Sequence, residues 1–185
     1  MAVDLRRTMR NFATGVCVAT TYIDDLDGRR HDALTVNSLT SLSLDPPLVS
    51  LALRADSAFL ADLLVSKVWA LSILDVGGDD LARSFAADRA HRTTALSTAT
   101  VAPGEQTGAL ILESQAWLEC VLREQIDTGD HTMVIGEVVA TGSKERRPPL
   151  IFLRGKYYAL GECRAIAPCA DPSELQARPE LEEAQ

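Results

Sequence analysis

The chain has 185 residues and a mass of 20.0 kDa, a size at which a single hydrophobic core is expected. Hydrophobic residues make up 46% of it and charged residues 24%, which is typical of a folded globular protein and too apolar for a disordered one. The 18 basic and 26 acidic residues give a net charge of −8, which argues against a surface for nucleic acid or for an anionic membrane.

Cysteine and histidine positions argue against both a disulfide framework and a metal site. The cysteines show no CxxC spacing, and the histidines are far apart in the sequence and form no HxxxH motif. Neither a signal peptide nor an apolar run long enough to span a bilayer is recognisable. We therefore expect a reduced, cytoplasmic protein without a metal, in which Cys17 and Cys120 are small buried core residues.

The first third of the chain predicts one short helix and then strands. Apolar residues are helically spaced in residues 4–13, whereas residues 16–23 are β-branched and apolar and lead into a polar Asp-Gly turn. Residues 33–44 alternate apolar side chains with Thr and Ser, which predicts one strand that ends at Pro46-Pro47. Residues 48–54 predict the next strand.

The middle of the chain changes to a helical period. Residues 57–66 predict a helix with Ser57 as its N-cap, and residues 68–75 predict a strand. Acidic residues in the first turn and apolar residues four apart predict a second helix over residues 79–87. Residues 88–108 are rich in Thr, Ala, Gly and charged residues, and we expect a loop there.

Residues 109–160 predict strands throughout, separated by turn residues. The total of seven or eight short strands, with two helices inserted midway, favours a closed antiparallel barrel over an alternating parallel sheet. We expect one domain over residues 1–160. Residues 161–185 are an acidic, proline-containing tail, which we expect to be disordered or to pack only in an oligomer.

Common nucleotide-binding and hydrolase motifs are missing. The sequence contains no GxGxxG after a strand, no Walker A motif and no GxSxG. The dinucleotide-binding fold and the α/β-hydrolase fold therefore lose their main support.

Two segments together resemble the signatures of a known family. Residues 35–48, TVNSLTSLSLDPPL, resemble the T-A-N-S-F-T-S-V-S-x-x-P-P-L string of the flavin reductase-like family. Residues 129–132, GDHT, followed by a strand with Gly136-Glu137-Val138, resemble its second signature. The order and spacing of these and of shorter matches hold from about residue 8 to residue 160.

The resemblance implies a mainly β fold with a few helices, an FMN-binding split β-barrel built as a Greek-key antiparallel barrel. It also implies a homodimeric NAD(P)H:flavin oxidoreductase, with FMN or FAD and NADH or NADPH as cofactors. Such a reductase transfers hydride from nicotinamide C4 to flavin N5 and supplies diffusible reduced flavin to a partner monooxygenase. The chain departs from the pattern where Ala33-Leu34 replaces a frequent Gly, and it lacks an aromatic residue before residue 109.

The resemblance carries over a set of flavin-binding positions. The segment at the first signature holds the isoalloxazine ring: Thr35, Val36, Asn37 and Ser38. Arg54 and Ser57 form the 5′-phosphate pocket, since a charge, a hydroxyl and a helix N-terminus converge there. The alternative for these two residues is a capping serine beside a surface arginine.

Further positions carried over by the resemblance lie on the second helix and at the second signature. Arg83, Ser84 and Phe85 belong to the family's helix motif at the flavin or dinucleotide site, although Phe85 equally fits a core position. His131 lies near the flavin and nicotinamide, where its imidazole can hydrogen-bond a carboxamide or a phosphate. Its alternative is a turn histidine that bonds a nearby carbonyl.

Two other functions remain open from the sequence. One is a flavin- or haem-binding split-barrel module without fast turnover. The other is a relative on the same scaffold that acts on a biosynthetic intermediate, with flavin held as a fixed cofactor or lost, because a fold does not dictate a function.

Overall fold

The computed structural model describes residues 3–144 and 147–160, so the predicted tail at 161–185 lies outside the described residues. Four helices and twelve strands are present in the described part of the chain. In chain order they are α1 (Leu5–Met9), β1 (Thr14–Gly15), β2 (Cys17–Asp25), β3 (Gly28–Val36), β4 (Thr40–Leu44), β5 (Pro47–Arg54), α2 (Ala58–Ser66), β6 (Val68–Ile73), α3 (Asp79–Phe85), α4 (Arg89–Thr98), β7 (Val101–Pro103), β8 (Leu110–Leu112), β9 (Ala116–Thr128), β10 (His131–Ser143), β11 (Leu150–Leu153) and β12 (Lys156–Ala159).

A seven-stranded antiparallel sheet organises the molecule, in the order β3-β2-β6-β9-β10-β5-β4. Its edge strands β3 and β4 are consecutive in the chain and are joined by residues 37–39. A three-stranded sheet has the order β1-β11-β12, and β7 pairs with β8. No helix in the described ranges is long and apolar enough to cross a membrane.

Most predicted elements are confirmed, including the first hairpin, α2, α3 and the β-rich segment after residue 109. The single strand predicted over residues 33–44 is instead two strands separated at residues 37–39. The reason is Ser38, whose hydroxyl accepts from the Ala52 N–H at 3.1 Å and donates to the Ala52 carbonyl at 3.0 Å. This side chain ties the crossing segment to β5 where the backbone ladder stops.

The loop predicted over residues 88–108 is wrong, because α4 and β7 lie there. Asp88 caps α4 through a hydrogen bond from the His91 N–H to its carboxylate at 3.0 Å. The helix is then fixed by Arg92, which pairs with Asp32 of β3. Local composition gives little sign of this helix, since a contact to a distant strand stabilises it.

Two clusters of buried side chains form the core, on opposite faces of β2. Cys17 and Ala19 face the first cluster, whose largest members are Trp69 and Phe59. Val18 of β2 and Val16, just before the strand, belong to the second cluster, which contains Phe85 of α3. Because both faces of β2 are covered, its first five residues are all buried instead of alternating between buried and exposed.

Candidate functional site

A cavity of about 560 Å³ brings together most of the residues that the sequence predicted for the site. Its walls come from six places in the chain: the end of β3 and the crossing segment, the end of β5, the start of α2, the residues after α3, the start of α4, and the first residue of β10. Seven of the predicted residues line it: Thr35, Val36, Asn37, Ser38, Arg54, Ser57 and His131.

Strand register explains why the two signatures meet. β5 and β10 pair antiparallel with Arg54 opposite His131, so the end of one strand lies beside the start of the other. Ser38 ties the first signature to Ala52, two residues before Arg54. Ser38 and His131, more than 90 residues apart in the chain, therefore border one cavity.

The polar side chains of the first signature are used within the protein. Thr35 Oγ1 donates to the Ala82 carbonyl at 2.8 Å, and Asn37 Nδ2 donates to Thr14 Oγ1 at 3.2 Å. The backbone N–H groups of Asn37 and Ser38, in contrast, donate to no acceptor among the described residues. These amides, rather than the side-chain hydroxyls, are what this segment offers to the edge of a ligand.

The charged residues of the cavity wall are all basic. Three arginines and one histidine line the cavity, and no carboxylate does: Arg54, Arg89, Arg92 and His131. Each of the three arginines is paired with an aspartate that does not line the cavity, so the wall presents guanidinium donors rather than a net positive charge. Guanidinium donors suit an anionic ligand.

Arg89 and Arg92 were missed by the sequence analysis, which placed a loop over their helix. Arg92 donates to both carboxylate oxygens of Asp32, through Nε at 3.2 Å and Nη2 at 3.0 Å. Arg89 pairs through Nη2 with Asp62 and through Nε with Asp32 at 3.5 Å. The only signal in the sequence was Asp88, a residue type suited to an N-cap, and it identified no partner for either arginine.

Arg54 lies at the open side of the cavity. Its Nε and Nη2 donate to the two carboxylate oxygens of Asp56 at 2.9 and 2.8 Å, and 72% of its side chain is exposed. This hydrogen-bonded pairing lowers the pKa of Asp56 below its usual range. The Arg54 guanidinium is therefore bonded to Asp56 and open to solvent.

The N-terminus of α2 also opens onto the cavity. Ser57 is the N-cap residue, but its hydroxyl makes no capping hydrogen bond. Ser57 and Ala58 both line the cavity, so the positive end of the helix dipole and a free hydroxyl face it. This arrangement can receive a phosphate oxygen.

His131 reaches the cavity from the start of β10. Its Nδ1 is 2.8 Å from Asp130 Oδ1, and this hydrogen bond lowers the pKa of Asp130. Because Nδ1 is engaged by the carboxylate, Nε2 is the nitrogen left for a ligand.

The three predicted residues of α3 do not line this cavity. Arg83 is exposed, contacts Asp79 at 3.4 Å and stacks 5.2 Å from the Tyr157 ring centroid. Ser84 is half-buried, and Phe85 is fully buried in the second core cluster. A role of these residues in cofactor binding stays a prediction.

Two further cavities adjoin the main one at Asn37. A cavity of about 240 Å³ contains Phe152 and Tyr157. A groove of about 720 Å³ runs past Met9 and Phe12. Asn37 borders all three spaces, so a ligand longer than a single ring system has room to continue beyond the cationic wall.

The arrangement fits a phosphorylated ring cofactor. It provides unpaired amide donors, cationic groups and a helix N-terminus, whereas the buried thiols of Cys17 and Cys120 have pKa values raised to about 12 by burial and are poor nucleophiles. Within residues 3–144 and 147–160, no group of three or more His, Cys, Asp or Glu side chains is placed to hold a metal ion.

Comparisons with known proteins identify the family of the chain. Residues 9–161 match the model of the flavin reductase like domain. The chain is 34% identical over 171 residues to the NADH-dependent FAD reductase of Streptomyces globisporus, covering 91% of this chain and 88% of that protein.

Two solved structures share the fold. One is BorF, the flavin reductase component of a bacterial two-component tryptophan halogenase, with a TM-score of 0.78, 32% identity, and coverage of 86% of this chain and 98% of that one. The other is the styrene monooxygenase flavin reductase of Pseudomonas putida S12, with a TM-score of 0.70, 29% identity, and coverage of 86% and 98%. These likenesses confirm the predicted mainly β split-barrel fold. The chain belongs to the flavin reductase-like domain family.

Proposed function

We propose that this protein is an NAD(P)H-dependent flavin reductase that supplies reduced FMN or FAD to a partner monooxygenase. The observation that carries the proposal is the cavity at the two signatures, whose charged wall residues are three arginines and a histidine in an otherwise acidic chain. Flavin and nicotinamide nucleotides each carry phosphate on a chain attached to a ring system, and the guanidinium donors of this wall favour the phosphate.

The cofactors supply the redox chemistry of this reaction, a hydride passing from nicotinamide C4 to flavin N5. The protein has to bind and orient the two rings and to keep donors at the right edges. The N–H groups of residues 37 and 38 and the free Nε2 of His131 are suited to this work. No side-chain nucleophile is required.

The names of relatives support the cofactors and the partner. One relative is called an NADH-dependent FAD reductase, and two solved neighbours are reductase components that serve a halogenase and a styrene monooxygenase. We therefore infer a diffusible reduced flavin that leaves this protein for an oxygenase. The assay described below distinguishes FMN from FAD and NADH from NADPH.

A homodimer and a cytoplasmic location are further parts of the proposal. Apolar side chains near the 720 Å³ groove are exposed in the single chain, Met9 by 50% and Phe12 by 63%, and a second copy would cover them. Cys17 and Cys120 are free thiols, as expected in a reducing compartment. Light scattering on the purified protein distinguishes a dimer from a monomer.

We also infer that residues 1–160 are the catalytic domain. The family match ends at residue 161, which supports treating the acidic segment at 161–185 as a separate tail. A chain truncated after residue 160 is expected to keep its reductase activity.

The test of the function is a steady-state assay of NADH and NADPH oxidation with and without added FMN, FAD or riboflavin. Flavin-stimulated loss of nicotinamide absorbance is the expected result. Tight retention of flavin through gel filtration without such oxidation would instead identify a binding module, and would reject the proposal.

A further inference from the structure

We propose that Arg89 is the residue that recognises the phosphate of the flavin, and that it makes the cavity prefer FMN or FAD to riboflavin. This inference rests on the proposed function and goes beyond it by assigning the phosphate contact to one side chain. Sequence reasoning had placed the phosphate at Arg54 and Ser57, and the geometry of the three cavity arginines points to a different residue.

Arg92 is fully occupied by the protein. Its Nε and Nη2 bond Asp32, and its Nη1 donates to the Ala87 carbonyl at 3.0 Å. The Arg92 side chain is only 10% exposed. Because each guanidinium nitrogen of Arg92 already donates within the protein, Arg92 is a poor donor to a ligand. Its bonds instead hold α4 in place.

Arg54 is a poor candidate for the opposite reason. It is 72% exposed, and the carboxylate of Asp56 already occupies the Nε and Nη2 edge that would grip a phosphate. A phosphate would have to displace that carboxylate in water, where the gain from one exposed ion pair is small.

Arg89 combines orientation with a free donor. Its Nη2 is held by Asp62, and its Nε lies 3.5 Å from Asp32. The side chain of Asp62 is 10% exposed and that of Asp32 is 1% exposed. Its Nη1 donates to no acceptor among the residues that the structure describes. A guanidinium fixed on two sides loses little conformational freedom when a ligand binds the third.

The surroundings of Arg89 suit an anion. Its side chain is 33% exposed and lines the cavity that also contains the free hydroxyl of Ser57 and the N-terminus of α2. The carboxylates that hold Arg89 do not line that cavity, so they orient the cation without presenting their own charge to the ligand. Asp62 is also 3.5 Å from Arg30, which offsets part of its charge from the other side.

The experiment compares FMN with riboflavin, which lacks the phosphate. Dissociation constants are measured by flavin fluorescence for the wild type, Arg89→Ala, Arg89→Lys and Arg30→Ala. Arg30→Ala is the matched control, since Arg30 contacts the same Asp62 but does not line the cavity. Circular dichroism and thermal unfolding show that each variant is folded, and Arg89→Lys carries the test if Arg89→Ala does not fold.

We expect Arg89→Ala to weaken FMN binding roughly tenfold or more, the size of a charge-assisted hydrogen bond, and to leave riboflavin binding within about twofold. Arg89→Lys should show an intermediate loss of FMN affinity. Arg30→Ala should keep the wild-type ratio of the FMN and riboflavin dissociation constants. The inference is overturned if a folded variant binds FMN and riboflavin more weakly by the same factor, or if its affinity for FMN is unchanged.

The nicotinamide nucleotide also carries phosphates, so a second arm uses riboflavin as the electron acceptor. The KM for NADH in this assay should be the same for Arg89→Ala and the wild type. A raised KM for NADH with unchanged FMN affinity would assign Arg89 to the dinucleotide and overturn the inference. If the wild-type protein binds no flavin and shows no flavin-stimulated NADH oxidation, the proposed function itself is rejected. That result differs from a variant in which the ratio of the FMN and riboflavin dissociation constants is unchanged.

Discussion

Asp32 and Arg92, 60 residues apart in the chain, form a doubly hydrogen-bonded ion pair that is almost fully shielded from water. The pair joins β3 to α4 and, through the Arg92 bond to the Ala87 carbonyl, fixes the segment between α3 and α4. The cavity wall therefore depends on an ion pair whose arginine lines the cavity and whose carboxylate does not.

Removal of the Arg92 guanidinium should destabilise the protein strongly. Arg92→Ala leaves the Asp32 carboxylate buried without its best partner, and a loss of about 3–5 kcal/mol in unfolding free energy is expected in urea denaturation. The control is Arg123→Ala, which breaks an exposed pair with Glu137 and should cost less than about 1 kcal/mol. Equal stability of the two variants would contradict the role of the buried pair.

Glycine at position 136 is required by the packing of Trp69. A Cβ at residue 136 would lie 2.3 Å from the ring of Trp69, which is fully buried and has no room to move. Gly136→Ala should therefore lower the unfolding free energy by about 1–3 kcal/mol. In Gly15→Ala the new Cβ has nothing within 4 Å, and that variant should change stability by less than about 0.5 kcal/mol. The two melting curves should separate clearly, and superimposable curves would refute the packing argument.

His131 should affect the use of the nicotinamide nucleotide more than the binding of flavin. With Nδ1 held by Asp130, Nε2 can donate to or accept from a carboxamide or a phosphate in the cavity. His131→Ala is expected to lower kcat/KM for NADH about tenfold. His91→Ala removes an exposed histidine outside the cavity wall and should leave the kinetics unchanged. Wild-type NADH kinetics with intact flavin affinity would remove His131 from the site.

His31 should make stability fall at acidic pH. Burial, together with the neighbouring Arg29, lowers the pKa of His31 below its usual value of about 6.5. As the pH falls below that value, His31 takes up a proton in the unfolded chain before it does in the folded one, so protons favour unfolding. The His31 contribution is complete above about pH 6.5 and is lost as the pH falls toward the lowered value of the folded state.

The check is a series of urea denaturation curves for the wild type, His31→Gln and His91→Gln across about pH 5–8. The slope of stability against pH should be shallower in His31→Gln than in the wild type and unchanged in His91→Gln. Identical slopes in all three proteins would show that the burial of His31 has no effect on the acid response.

The sequence by itself determined most of the longer strands, α2 and α3, and the two signatures of the site, although it predicted seven or eight strands where the described residues form twelve. These features are local, since a helical or alternating period and a short motif are read from neighbouring residues. The family resemblance covered nearly the same residues as the family match, 9–161. Seven of the ten predicted residues line one cavity, where the register of β5 and β10 brings the two signatures together.

The tertiary structure alone decided which cations line the cavity and which side chains are hydrogen-bonded within the protein. Arg89 lies in a segment without apolar periodicity, and only its contacts with Asp62 and Asp32 show that it is held in place. Likewise, Ser38 is one of the residues predicted to hold the isoalloxazine ring, but its hydroxyl is hydrogen-bonded to the backbone of Ala52. A pairing between residues that are distant in the chain leaves no periodic trace in the sequence, so the proposal that Arg89 contacts the phosphate rests on the geometry.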